Sequence, residues 1–142
     1  MVTSRIRVLV VDDFEPWRRF ACSTLQNNTA VQVIGEVSDG LEAVRKATEL
    51  QPDLILMDIG LPSLNGIEAA RRILENSPNV KILFVSENRA SEIIEEALRV
   101  GGCGYVLKSD ASGELLPAVG SVLQGKHFVS ACFSRPLTGQ FA

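Results

Sequence analysis

Five short apolar runs alternate along the chain with segments in which apolar residues recur at helical spacing. The runs are rich in valine, isoleucine and leucine, which is typical of parallel strands that are covered on both faces. In the intervening segments apolar residues recur three or four positions apart, as they do along one face of an amphipathic helix. We therefore predict strands over residues 6–11, 31–37, 54–57, 81–85 and 105–107, each followed by a helix.

This alternation predicts an α/β fold in which a strand and a helix follow each other five times. Parallel strands joined by helices need right-handed crossovers, and helices on both faces make a doubly wound sheet. Asn65, with Glu68 three residues later, is a capping signal for the third helix. Residues 126–142 are too few for another domain, so we interpret them as a tail that follows one domain at 1–125.

Composition narrows the class of protein. The chain has 142 residues, 46% of them hydrophobic and 22% charged, which suits one soluble globular domain. Its formal net charge of −3 argues against binding of nucleic acid by this chain alone. No apolar run reaches the length of a membrane span, and the N-terminus is not a signal peptide. Cys22, Cys103 and Cys132 are widely spaced, so we expect reduced thiols in a cytoplasmic protein.

Polar side chains follow directly on four of the five predicted strands. Asp12 and Asp13 follow the first strand, and Asp58 follows the third. Ser86 follows the fourth strand and Lys108 follows the fifth. Because ligands of doubly wound sheets bind beyond the carboxyl ends of the strands, we expect these five residues to meet at one edge of the sheet.

Three carboxylates at one edge repel each other unless a cation lies among them. Mg²⁺ prefers oxygen ligands, and it typically takes one or two carboxylates together with phosphate oxygens. A carboxylate can also act as a nucleophile and form an aspartyl phosphate. With a lysine and a hydroxyl nearby, the group fits a Mg²⁺ site that stabilises a phosphoryl group on one carboxylate.

Each of these residues also has a plain structural interpretation. The acidic pair could cap the first helix, Ser86 could cap the turn that follows it, and Lys108 could be solvated. Trp17 is predicted to lie in the core with the other apolar residues of the first helix, and Arg18 on a solvated helix face.

The stretches VLVVDD, LILMDIGLPSLNG, LFVS and GYVLK, in this order and spacing, resemble the receiver domain of two-component response regulators. The resemblance extends over residues 5 to about 125. The turn after Asp58 and the ending GKHFVS look most like the NarL/FixJ (LuxR-type) subfamily, which carries a helix-turn-helix output domain. The resemblance implies a flavodoxin-like fold with a five-stranded parallel sheet in the order 2-1-3-4-5.

The resemblance also implies a role for each residue at the acidic site. Asp58 matches the phosphoacceptor, which attacks the phosphorus of a phosphohistidine on a sensor histidine kinase. Asp13 matches the direct Mg²⁺ ligand, and Asp12 matches the acid that reaches the metal through water. The main-chain carbonyl of Gly60 matches a further metal ligand.

Three more residues match the parts that respond to the phosphoryl group. Ser86 matches the switch hydroxyl that moves to a phosphoryl oxygen, and Lys108 matches the lysine that pairs with the group. Tyr105 matches the aromatic switch residue that turns inward on activation, although plain packing in the sheet is the alternative. Such a switch would reshape the face formed by the fourth helix, the fifth strand and the fifth helix.

The sequence departs from the family pattern at Glu87, where a small residue is usual after the switch hydroxyl. A carboxylate there would narrow access to Asp58 and repel a phosphoryl group, or it would orient a water or turn to solvent. We hypothesise unusual kinetics of phosphotransfer or dephosphorylation.

We therefore predict a signalling module that catalyses only its own phosphorylation and dephosphorylation. Three alternatives stay open: a Mg²⁺-dependent phosphatase with an aspartyl nucleophile, a flavodoxin-like binder of a nucleotide or flavin, and a scaffold that works without phosphate. A homodimer could form through the switched face or through the first and fifth helices. The resemblance favours a fragment of a transcription regulator, with 126–142 as a truncated linker to an absent output domain that would bind DNA.

Overall fold

The computed structural model describes residues 5–130, in which helices and strands alternate. The strands are β1 (Ile6–Val11), β2 (Val31–Val37), β3 (Leu54–Met57), β4 (Lys81–Ser86), β5 (Gly104–Leu107) and β6 (Phe128–Val129). The helices are α1 (Glu15–Leu25), α2 (Gly40–Leu50), α3 (Gly66–Asn76), α4 (Ser91–Arg99) and α5 (Ala111–Leu123), and a 3₁₀ turn at Lys108–Asp110 leads into α5.

The strands form one parallel sheet in the order β2-β1-β3-β4-β5-β6. The predicted doubly wound fold and the order of the first five strands are confirmed. The prediction of five strands is one short, because β6 pairs with β5 and aligns Phe128 with Gly104 and Val129 with Tyr105. A strand of two residues is too short to leave a periodic pattern, and it lies in the segment that we interpreted as a tail.

Each strand of the sheet centre contributes side chains to two separate cores. Successive side chains of a strand point to opposite faces, so Leu9 and Val11 pack against the α2–α4 side, while Val8 and Val10 pack against α1 and α5. All four residues of β3 are buried. This burial on both faces explains why the central strands read as continuous apolar runs rather than as alternating ones.

The start of α3 confirms the predicted cap. The Asn65 side chain accepts a hydrogen bond from the Glu68 N–H at 2.9 Å, which satisfies one of the free donors of the first turn. This helix begins directly after the loop that leaves the acidic end of β3, so its cap helps to hold that loop.

The structure bears on the cysteine and membrane predictions for residues 5–130. Cys22 and Cys103 are free thiols, and burial raises the pKa of Cys22 to about 11, which keeps it protonated. Cys132 and the rest of residues 131–142 lie outside the described residues, as do residues 1–4. Between residues 5 and 130, no helix has the length and apolar character needed to span a membrane.

Candidate functional site

A cleft of about 910 Å³ opens at the carboxyl ends of the central strands. This is the edge at which the sequence places the polar residues. Asp12 and Tyr105 are fully buried next to the cleft. The other predicted site residues line the cleft itself: Asp13, Asp58, Gly60, Ser86, Glu87 and Lys108.

Three carboxylates lie close together at this cleft. Asp12, Asp13 and Asp58 each offer an oxygen within 4.8 Å of the other two. Asp12 is fully buried and Asp58 is 8% exposed, whereas Asp13 faces solvent. The acidic pair does not cap α1, whose N-cap residue is Phe14 and which has no side-chain cap. Asp12 Oδ1 instead accepts a hydrogen bond from the Phe14 N–H at 2.9 Å, in the turn before the helix. Each of the three residues thus offers one oxygen to the shared site.

Lys108 supplies the positive charge of the site. Its ammonium nitrogen lies 2.6 Å from Asp12 Oδ2 and 3.5 Å from Asp58 Oδ2, and its side chain is 14% exposed. The same nitrogen lies 5.4 Å from the centre of the Trp17 ring. A lysine held in this way is not the solvated lysine of the plain interpretation.

The carboxylates of the site outnumber its ammonium group. Asp12 Oδ2 lies 2.6 Å from the Lys108 ammonium in an ion pair and has no other hydrogen-bond partner among residues 5–130. One ammonium does not balance three carboxylates that lie this close together. A hard cation with oxygen ligands would offset the excess negative charge, so the donor set of three carboxylates, with Gly60 lining the same cleft, fits Mg²⁺.

The environment of Asp58 disfavours its charged form. Burial, followed by the charge of Asp12, raises the pKa of Asp58 above the ordinary aspartate value. The Lys108 ammonium and the hydrogen bond from the Ile59 N–H to Oδ1, at 2.8 Å, act in the opposite direction without cancelling the effect. The carboxylate is therefore held in the folded chain at a cost in free energy.

We expect the change Asp58→Asn to raise the free energy of unfolding at neutral pH by about 1 kcal/mol, because it removes this buried charge and keeps the shape. The folded-state pKa of Asp58 lies above the unfolded value. The cost is therefore present above the folded-state pKa and disappears as the pH falls to the unfolded value. Urea unfolding of wild type and Asp58→Asn at several pH values from neutral to acidic measures the difference in their free energies of unfolding. A variant less stable than the wild type at neutral pH would contradict the expectation.

The loop between β3 and α3 is tied to the neighbouring turn after β2. The Asp39 carboxylate caps α2 and also accepts a hydrogen bond from the Ser63 hydroxyl at 2.6 Å, and these bonds lower the pKa of Asp39. The Gly40 N–H donates to the Pro62 carbonyl at 3.2 Å. Ser63 has a φ of 67°, in the left-handed region, so its hydroxyl bond helps to hold a strained turn. Asp39 and Ser63 are supporting residues that the sequence analysis missed.

Ser86 and Tyr105 both reach the main chain of Asn88. Ser86 Oγ accepts a hydrogen bond from the Asn88 N–H at 3.0 Å, which is the turn-capping contact of the plain interpretation. The Tyr105 hydroxyl donates to the Asn88 carbonyl at 2.8 Å. Tyr105 is fully buried, and this burial raises its pKa and keeps the hydroxyl a donor. Tyr105 is therefore packed inside the sheet region in this structure, and its role as a switch residue stays a prediction.

Aromatic residues of α1 and the preceding turn form one wall of the cleft. Trp17 is half-buried and packs against the core, as predicted, but it also lines the cleft. Phe20 shares the predicted core stripe, yet it is 36% exposed, and its ring lies 5.0 Å from that of Trp17. Phe14 is 60% exposed. No periodic signal could separate this wall from a core stripe, because helical spacing does not say what the stripe faces.

The structure also corrects the prediction that Arg18 lies on a solvated face of the first helix. Its side chain is 17% exposed rather than solvated. It donates to the Asp12 carbonyl at 2.7 Å and pairs with Glu36 at 3.2 Å. Arg18 therefore anchors the turn that presents the acidic pair.

Glu87 stands at the rim of the same cleft. It is exposed and borders the region that contains Asp58 and Lys108. A second, smaller groove that continues from Glu87 is lined by Arg89, Lys108 and Ser109. The position agrees with a residue that controls access, and it leaves the other interpretations of Glu87 open.

Comparison with known proteins identifies the family. The family model "Response regulator receiver domain" matches residues 8–120. The transcriptional regulatory protein LnrK of Bacillus subtilis is 38% identical over 120 residues, which are 84% of this chain and 54% of LnrK. The response regulator GacA of Pseudomonas viridiflava is 33% identical over 132 residues, which are 93% of this chain and 62% of GacA.

A solved structure extends the comparison to the fold. A two-component response regulator of the LuxR family from Aurantimonas sp. SI85-9A1 superposes with a TM-score of 0.91 at 30% identity, over 96% of this chain and 98% of that one. This chain spans about half to three fifths of the length of the two curated relatives. Both relatives are named as regulators. The chain belongs to the response regulator receiver family, as a receiver domain most similar to the NarL/LuxR type.

Proposed function

We propose that this receiver domain takes a phosphoryl group onto Asp58 from a phosphohistidine of a sensor histidine kinase. The observation that carries the proposal is the surroundings of that carboxylate. Asp58 is 8% exposed at the floor of an open cleft, with two other carboxylates within 4.8 Å and an ammonium at 3.5 Å. This combination suits a nucleophile that receives an anion.

In the proposed reaction an Asp58 oxygen forms a bond to phosphorus while the bond from phosphorus to the histidine nitrogen breaks. The Lys108 ammonium, which lies beside both buried carboxylates, is placed to pair with a phosphoryl oxygen. The hydroxyl of Ser86 would become a second donor if it left its bond with the Asn88 N–H. In each case the group would give up a contact within the protein and contact the phosphoryl group instead.

Receiver domains bind Mg²⁺ at an acidic pocket, and the cluster of this chain is of that kind. Asp12, Asp13, Asp58 and the Gly60 carbonyl would hold the ion. When bound, Mg²⁺ would supply positive charge that offsets the charge of the carboxylates and of a phosphoryl group. The excess of three carboxylates over one ammonium supports this assignment.

The aromatic wall supports a protein as the phosphodonor. Phe14, Trp17 and Phe20 line the cleft beside the acceptor, and Phe14 and Phe20 are exposed. Exposed aromatic residues next to a functional site are typical of interaction surfaces. An apolar patch beside the phosphohistidine of a protein donor would fit against this wall.

The output that we propose is control of transcription. The relative LnrK is named a transcriptional regulatory protein, and this chain matches only 54% of its length. With a net charge of −3, this chain would reach DNA only through a further domain. We place the end of the receiver unit after Ser130 rather than at 125, since β6 belongs to the sheet, and we keep 131–142 as the proposed linker. A homodimer through the α4–β5–α5 face or through α1 and α5 stays a proposal.

The direct test is intact-mass spectrometry after incubation with acetyl phosphate, with and without Mg²⁺. We expect one added phosphoryl group that requires Mg²⁺ and that hydroxylamine removes, as it does from acyl phosphates. An adduct that forms without Mg²⁺, or that resists hydroxylamine, would contradict the proposed chemistry.

Glu87 provides a prediction about access to the site. We expect Glu87→Ala to speed phosphorylation by acetyl phosphate about three- to tenfold, because the exposed carboxylate at the rim repels a small anion. The difference should shrink as the salt concentration rises, since exposed charges are screened. Glu92→Ala is the matched control, because Glu92 is exposed in the first turn of α4 and does not line the cleft. Equal rates of phosphorylation and dephosphorylation in wild type and Glu87→Ala would show that Glu87 does not control access.

A further inference from the structure

The segment after α5 is built into the sheet next to the fifth strand. β6 pairs with β5, and the Phe128 N–H donates to the Cys103 carbonyl at 3.3 Å. Gly104 makes this approach possible, because a Cβ at that position would lie 2.5 Å from the Phe128 carbonyl oxygen. The lack of a side chain at Gly104 therefore allows β6 to pair closely with β5.

Ser130, directly after β6, is fully buried and makes three hydrogen bonds. Its N–H donates to the Tyr105 carbonyl at 2.9 Å. Its hydroxyl accepts from the Leu107 N–H at 2.8 Å and donates to Glu114 Oε1 at 2.6 Å. One side chain thus joins the end of β5 to the first turns of α5.

The place of these bonds connects them to the carboxylate site. They hold the main chain on both sides of Val106, and Leu107 directly precedes Lys108. At Lys108 the chain leaves β5 and enters the 3₁₀ turn before α5. The direction of the Lys108 side chain toward Asp12 and Asp58 therefore depends on main chain that Ser130 holds.

We propose that Ser130 is a positioning residue for Lys108, so that docking of β6 sets how tightly the site holds a phosphoryl group. The inference rests on the proposed function. Ser130 acts through its bonds with the Leu107 N–H and the Glu114 carboxylate, not through contact with the phosphoryl group. Residues 126–130 then become part of the working receiver, and not a passive tail.

Thermodynamic linkage makes the coupling between β6 and the carboxylate site reciprocal. If docked β6 favours binding of the phosphoryl group, then binding of the group stabilises docked β6 by the same factor. Ser130, from which the chain continues, would be held more firmly when the site carries a phosphoryl group than when it does not. The state of the carboxylate site would thus reach residues beyond 130 through the main chain of β5.

The test compares the whole chain of wild type, Ser130→Ala and the control Ser112→Ala, whose exposed serine lies in the first turn of α5. Trp17, the single tryptophan, lines the cleft and reports binding by its fluorescence. Mg²⁺ alone is titrated first, and beryllofluoride is then titrated at saturating Mg²⁺ as an analogue of the phosphoryl group. Hydrogen exchange of the Leu107 amide is measured with and without the analogue.

We expect Ser130→Ala to weaken beryllofluoride binding about fivefold, the lower end of typical coupling, without weakening Mg²⁺ binding. Lys108 pairs with an anion, whereas the carboxylates bind the cation, so a displaced lysine separates the two affinities. We also expect the analogue to slow exchange of the Leu107 amide in wild type and to have little effect on it in Ser130→Ala. Ser112→Ala should match wild type in every measurement.

Three results would overturn the inference. Unchanged beryllofluoride affinity in Ser130→Ala would do so while leaving the proposed function intact. A parallel loss of both affinities, together with lower thermal stability, would show a merely structural role. If wild type bound no beryllofluoride, the proposed function would fail and this inference with it. Should Ser130→Ala not fold, Glu114→Gln keeps the side-chain shape, and a smaller shift in the same direction is expected.

Discussion

We expect Asp58→Asn to abolish the acyl phosphate that wild type forms with acetyl phosphate and Mg²⁺. The amide keeps the size of the side chain and can still accept the hydrogen bond from the Ile59 N–H. It is, however, no longer an anionic nucleophile, and it removes one of the three carboxylates that would hold Mg²⁺. The mass of the intact protein measures the loss directly.

Asp53→Asn is the matched control for this experiment. Asp53 precedes β3 at the opposite end of the strand, where its carboxylate accepts a hydrogen bond from the Arg7 N–H at 2.8 Å. We expect this variant to form the adduct as wild type does. An adduct of full yield on Asp58→Asn would move the acceptor to another residue and would contradict the proposed function.

A large loss of stability is expected for Gly66→Ala. A Cβ at this first position of α3 would lie 1.9 Å from the Asp58 carbonyl oxygen, which is main chain and cannot move aside like a flexible side chain. The Gly66 N–H also donates to the Ile59 carbonyl at 2.8 Å. We expect the free energy of unfolding to fall by about 3 kcal/mol, the upper range for overpacking, as measured by urea denaturation.

Gly120→Ala separates this steric effect from the general effect of adding a methyl group. Gly120 lies inside α5, and a Cβ there would meet no atom within 4 Å apart from the local backbone of its own helix. We expect a gain in stability of about 0.5–1 kcal/mol, because alanine has the higher helix propensity. If Gly66→Ala and Gly120→Ala had the same free energy of unfolding, the close packing of the start of α3 against the Asp58 carbonyl would be refuted.

The two predictions concern one feature, the sharp exit of the chain from β3. The buried strand ends at Met57, and Asp58 must then turn its carboxylate into the cleft while α3 begins within a few residues. Gly66 permits the close packing, and Asn65 caps the helix that follows. The tight geometry explains why an apolar run is followed at once by an acid, glycines and a proline.

Sequence reasoning could predict the architecture and the location of the site because both depend on local pattern. Buried parallel strands require continuous apolar runs, and the polar residues that end those runs must appear at one edge of the sheet. Asp12, Asp58 and Lys108 could therefore be placed together from the order of residues alone. In the folded chain both carboxylates lie within 3.5 Å of the Lys108 ammonium.

Only the tertiary structure decided which contacts these residues make with parts of the chain that are distant in sequence. Strand β6 is defined by its pairing with β5, and Ser130 after it bonds to both β5 and α5. A strand of two residues has no periodic pattern from which it could be predicted. Arg18 proved to be an anchor and Phe20 an exposed wall, although both share one helix with regular spacing. Periodicity specifies which side chains share a face, but what that face meets is settled by the packing of elements far apart along the chain.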